Sequence, residues 1–142
     1  SMTTPDGSVG CTWYSTGPYP GEPYGVICQA AAPTFTPPPA PADCAAGWGT
    51  AIALRPGSPT AFTCQVGLVP ALSAPQPDDV ANWRRGGLTL VPPDVGCAPI
   101  KAPVQGVRCA QYKVTVNRRT HRKRSVLLHG FSLTARSYSI TR

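Results

Sequence analysis

Acidic and imidazole side chains are the scarcest chemistry in this chain, with six Asp and Glu and two His in 142 residues. Acid–base and nucleophilic catalysis need titrating or attacking groups in convergent sets, and this inventory offers few sets to build. Charged residues of either sign make up only 13% of the chain, which excludes charge-laced coiled coils and highly charged disordered tails. No apolar run approaches the roughly 20 residues that a membrane-spanning helix requires. Nor does the chain contain a CxxC pair, a P-loop, an HExxH helix, a G-x-S-x-G elbow or a dinucleotide fingerprint. The usual signatures of zinc, phosphate and acyl-transfer chemistry are therefore missing.

What the chain has in abundance is punctuation, with 18 Pro and 14 Gly. Hydrophobic residues still reach 42%, including three Trp, five Tyr and three Phe, enough to bury the core of one domain. Frequent interruption of that apolar content suits short strands joined by turns and excludes helical bundles and βαβ layouts. Strands are expected at 50–54, 62–66, 88–91, 111–117, 126–134 and 137–141, with clean alternation at Tyr112, Val114 and Val116. One helix is expected near 78–85. Asp78 and Asp79 lie in its first turn, Arg84 and Arg85 in its last, and Gly86-Gly87 stop it. Val80 and Trp83, at i and i+3, would face the core. Residues 14–24 form a wide Pro/Gly loop with three tyrosines. Prolines across 33–41 demand an extended connector, read as a stiff surface spacer.

Six cysteines in a short chain, with only two histidines as possible co-ligands, indicate a disulfide framework in an oxidising compartment. Two pairs share a local text. Val9-Gly10-Cys11 is answered by Gly25-Val26-Ile27-Cys28, and Val95-Gly96-Cys97 by Gly106-Val107-Arg108-Cys109. A cysteine after a β-like run, answered by another beyond a turn, suits a cross-linked antiparallel hairpin. Sequential pairing follows: Cys11 with Cys28, Cys97 with Cys109, and Cys44 with Cys64. The expected fold is mainly β, of disulfide-stapled antiparallel hairpins forming a small sandwich or barrel. It is a single cysteine-rich domain over 3–142, with Ser1-Met2 read as the remnant of a cleaved tag. No metal and no cofactor is expected.

The ordered motifs resemble a family of small secreted or surface-anchored, cysteine-rich domains of unknown function from mycobacteria and other actinobacteria. The resemblance rests on Pro5-Asp6-Gly7-Ser8-Val9-Gly10-Cys11, Gly25-Val26-Ile27-Cys28, Cys44-Ala45-Ala46-Gly47-Trp48-Gly49 through Phe62-Thr63-Cys64, and His129-Gly130-Phe131-Ser132-Leu133-Thr134-Ala135-Arg136-Ser137-Tyr138. It runs nearly end to end and implies a fold and an extracytoplasmic location, secreted or anchored to the cell envelope, but no activity. Two departures stand out. The third disulfide loop is longer than the family pattern, and residues 110–128 replace a short turn.

Charge is divided sharply along the chain. Residues 1–100 carry three basic and six acidic side chains, whereas 101–142 carry ten basic and none acidic. The focus is Arg118, Arg119, His121, Arg122, Lys123 and Arg124, between two strand-like runs, where a hairpin tip is the natural placement. Such a cluster is either a solvated loop or a recognition surface for an anion. The second reading makes the chain a noncatalytic envelope module engaging a lipid headgroup, an acidic glycan or an acidic protein. Nucleic acid ranks below these partners, since no nucleic-acid module is present and no aromatics interleave with the basic run. Two alternatives come from other classes: an envelope hydrolase using His129 and a carboxylate, with Arg136 and Tyr138 completing a pocket, and the sensor ectodomain of an anchored receptor.

Overall fold

The computed structural model describes residues 1–14, 25–90 and 95–141. In chain order the elements are β1 (Met2–Thr3), β2 (Val9–Tyr14), β3 (Gly25–Ala30), β4 (Ala51–Leu54), β5 (Ala61–Thr63), α1 (Pro70–Ser73), α2 (Pro77–Arg84), β6 (Leu88–Leu90), β7 (Val95–Ile100), β8 (Gly106–Val116), β9 (Lys123–Thr134) and β10 (Tyr138–Thr141). Strands β1 to β5 make one five-stranded antiparallel sheet and β6 to β10 another, each with neighbours in sequence order. Neither sheet closes on itself, so the mainly β fold is a sandwich of open sheets and not a barrel. The tyrosine-bearing loop beyond Tyr14 and the residues that follow Leu90 up to Asp94 lie outside the described residues.

The two sheets repeat each other residue by residue. Cys11 stands opposite Cys28 in the first, and Cys97 opposite Cys109 in the second. On the far side of the first cysteine of each pair lies Met2 or Leu88; on the far side of the second lies Ile52 or Phe131. The next inward positions, Val26 with Leu54 and Val107 with Leu133, correspond in the same way. Gly25 and Gly106 also match, because each packs where a Cβ would collide with the carbonyl oxygen of Leu54 or Leu133. Met2, placed by the sequence in a tag remnant, is fully buried.

Alternation sends these apolar residues to one face of each sheet, and the two faces meet in a single core. At its centre the equivalent sulfurs Cys28 Sγ and Cys109 Sγ lie 3.4 Å apart. Contact between equivalent positions is how two like halves meet about a local two-fold. The Cys11–Cys28 and Cys97–Cys109 bridges are thus stacked, both wholly within the core. The third bridge, Cys44–Cys64, differs from the hairpin expectation. Neither cysteine lies in a strand. It ties the end of the proline-rich segment to the chain just past β5, which ends at Thr63 because Gln65 N–H turns away to bond Gly47 O at 2.8 Å.

The outer faces explain where the halves diverge. On the first sheet Ile27, Ala51 and Ala53 are covered by Val69, Ala71 and Leu72 of the α1 region. That turn is pinned by Thr3 Oγ1 donating to Ala71 O (2.7 Å) and by Val69 N donating to Gln29 Oε1 (2.8 Å). The corresponding positions of the second sheet are Arg108, Gly130 and Ser132, small or polar residues where the first sheet has apolar ones.

Helix α2 links the halves. Trp83 is buried and donates its indole N–H to Gly106 O at 2.9 Å, the anchoring role its spacing predicts. Its expected partner Val80 is only half-buried, and Asp79 takes the buried place because its carboxylate accepts the Gln76 N–H at 2.9 Å. The proline-rich segment is not a free spacer. Thr34 N bonds Ala135 O at 2.8 Å, and Phe35 packs against Phe62 and Tyr138, so it straps the surface of the core.

Candidate anion-binding arm

The strap and the basic insertion occupy equivalent places in the repeat. One joins β3 to β4 and the other joins β8 to β9. In the second half the strands simply continue: Tyr112 pairs with Leu127, Lys113 with Val126, Val114 with Ser125, Thr115 with Arg124 and Val116 with Lys123. Every residue from Tyr112 to Leu128 is exposed. The result is a two-stranded arm, roughly 14 Å of paired strand at about 3.4 Å per residue, capped by a turn.

The turn has its own framework. Asn117 Oδ1 accepts the N–H groups of Arg119 (2.9 Å) and Thr120 (3.2 Å), and Asn117 O accepts that of His121 (2.7 Å). His121 adopts a left-handed φ of 56°, which an Asn or Gly would ordinarily supply. Arg118, Arg119, His121 and Arg122 belong to this turn. Lys123 and Arg124 do not, because β9 starts at Lys123, earlier than the sequence pattern indicates. The cations therefore run down one strand as well as around the tip. No carboxylate occurs anywhere in 101–142 to neutralise them.

The arm is two-faced. A register shift between Gln111 and Tyr112, with Leu128 as the additional residue on β9, marks the point where it leaves the sandwich. Beyond it Tyr112, Val114, Val116 and Leu127 share, with Ser125 and with Lys123 at the tip end, the face continuous with the outer side of the second sheet, while Lys113, Thr115, Arg124 and Val126 take the other. At its foot lies a shallow hollow of about 120 Å³ whose lining includes Arg108, Tyr112, Leu127, Ser132 and Ser139.

His129 sits at the inner base of the arm. Its Nδ1 lies 2.6 Å from Thr60 Oγ1 and its Nε2 2.6 Å from Gln111 Oε1. With the Gln111 oxygen as acceptor, Nε2 carries the proton and Nδ1 accepts the threonine hydroxyl. Burial pushes the imidazole below its ordinary value of 6.5, toward the neutral form this arrangement uses. A hydroxyl–imidazole–acceptor chain resembles that of an activated nucleophile, yet Thr60 is fully buried, with its hydroxyl held by His129. An open recess of about 400 Å³ adjoins it, lined among the described residues by Gly57, Ser58, Pro59, Gln111, Leu128 and His129 and by no carboxylate.

Arg136 and Tyr138 are not gathered at this histidine. Tyr138 pairs with Leu133, four residues or about 13 Å along β9 from His129, and packs edge-on against Phe62 at 4.8 Å between ring centroids. Arg136 is exposed in the β9–β10 turn, its N–H bonded to Thr134 Oγ1 at 3.1 Å. The partner sequence reasoning missed is Thr60, 69 residues away, which no local signal identifies. Comparison of the chain with models of known families, with curated proteins and with solved structures finds no match.

Proposed function

We propose that this domain is a noncatalytic extracytoplasmic binding module of the cell envelope, which engages an anionic component through the arm formed by β8 and β9. The observation that carries this reading is a wholly exposed arm bearing Lys113, Arg118, Arg119, Arg122, Lys123 and Arg124, in a stretch without a single acidic residue. Like charges held this close repel one another and are relieved by an anionic partner. Three disulfides suit an oxidising location, as does the resemblance of the motifs to secreted actinobacterial domains.

The test is retention on an immobilised sulfated polysaccharide, for the parent chain and for a variant with Arg118, Arg119, Arg122, Lys123 and Arg124 replaced by Gln. The parent is retained at about 0.1 M salt and elutes as the Debye length shrinks below about 8 Å; the variant passes through with an unchanged melting midpoint. Equal retention of the two would remove the arm from the proposal.

A further inference from the structure

We infer that the arm docks on an anionic lipid bilayer, with Tyr112, Val114, Val116 and Leu127 set among the headgroups. This rests on the anion-binding reading and adds a hydrophobic component to it. Among the described residues most of the exposed large hydrophobic side chains are concentrated here: Tyr112, Val114, Val116, Val126, Leu127 and Leu128 are 40–52% exposed, and Val66 and Leu68 are exposed elsewhere. Clustered exposed apolar side chains mark an interaction surface, whereas scattered ones need no explanation.

Charge selects the occupant. A second copy of this chain would set one cationic arm against another. A soluble acidic glycan would neutralise the cations but leave the four apolar side chains in water. An anionic bilayer satisfies both features, since its headgroups meet the arginines while its interfacial region takes up the apolar face. Lys113 and Arg124, on the opposite face, can extend their heads to the phosphates past their own aliphatic stems.

The backbone sets the depth. A two-stranded arm has N–H and C=O groups on both edges that hydrocarbon cannot satisfy. It therefore lies at the level of the headgroups, about 5–10 Å deep as interfacial elements do, and does not cross. Cationic contact and apolar insertion together supply the two signals that stable membrane attachment requires.

The experiment is co-sedimentation with vesicles of phosphatidylcholine containing one third phosphatidylglycerol, alongside retention on the sulfated polysaccharide. The apolar-face variant Tyr112→Ser, Val114→Thr, Val116→Thr, Leu127→Thr keeps every cation and the β-forming residues at three of its four positions. It should lose vesicle partitioning by about 100-fold and keep its retention on the polysaccharide. A single Tyr112→Trp variant should gain fluorescence quenched by bromine-labelled acyl chains, relative to the parent. The lipid assignment is overturned if the parent binds the polysaccharide but not the vesicles, which leaves an acidic glycan or protein as partner, or if the apolar variant partitions as well as the parent. Binding to neither surface would overturn the anion-binding reading itself. A parent that sediments as a dimer dependent on the apolar face, and does not bind vesicles, would assign the face to self-association.

Discussion

Two titrating residues fasten this fold in different ways, and each leaves its own mark on stability. Burial holds His129 below 6.5 in the folded state. As pH falls the unfolded chain takes up the proton first, so the stabilisation is complete above pH 6.5 and lost as pH falls through the folded value. Asp6 works in the acidic range. Burial raises its pKa, but hydrogen bonds from the Ser8 hydroxyl and amide and the Thr4 hydroxyl outweigh that and hold it below 3.8. Its contribution is present above pH 3.8 and lost as pH falls through its depressed value. Urea midpoints measured from about pH 8 to pH 2 should fall in two steps; His129→Gln should flatten the upper and Asp6→Asn the lower. Thr60→Val, which removes the hydroxyl from a buried pair, should cost about 1–3 kcal/mol. At this scale the sequence was legible only where partners are near. Asp6 stands beside Thr4 and Ser8 and reads as a turn residue, but nothing local ties His129 to Thr60.

Strands and turns were easier to find than what they do to one another. The V-G-C and G-V-x-C texts located four strands and two bridges because a cross-strand disulfide needs its cysteines at matching distances from the turn. The one-turn α1 left little trace, being too short for a periodic signal. Helix α2 was visible through its acidic start and glycine stop, yet the choice of Asp79 over Val80 for burial depends on a capping bond that periodicity does not report. Alternation at Tyr112, Val114 and Val116 marked the arm's first strand, but the start of β9 at Lys123 was obscured by charges that read as loop. Gly106 supplies a sharp test of the close strand packing. Gly106→Ala, and equally Gly25→Ala, puts a methyl group onto a neighbouring strand's carbonyl and should cost about 1–3 kcal/mol by overpacking, read from chemical denaturation.

Across the whole molecule, two like sheets meet at a pair of stacked disulfides, and the connection that straps the core in one half projects as an arm in the other. The repeat was visible in the sequence only around the cysteines, since the remaining equivalences, such as Met2 with Leu88 or Ile52 with Phe131, keep apolar character but not identity. Bridge removal separates loop entropy from core packing. Loop length alone favours Cys44–Cys64, whose separation of 20 residues exceeds the 12 of Cys97–Cys109. Because Cys97 and Cys109 are buried and Cys64 is exposed, double alanine replacement at Cys97 and Cys109 should cost more, within the usual range of about 2–5 kcal/mol, and thermal melts would rank the two. The central claim is that fold and binding reside in separable parts. Its most direct test replaces Tyr112 to Leu128 by an Asn-Gly turn joining Gln111 to His129, and measures melting midpoint and vesicle co-sedimentation on the same preparation. The predicted result is a sandwich with all three disulfides formed, a midpoint within about 5 °C of the parent and no binding to anionic vesicles. An armless chain that still binds, or one that no longer folds, would contradict it.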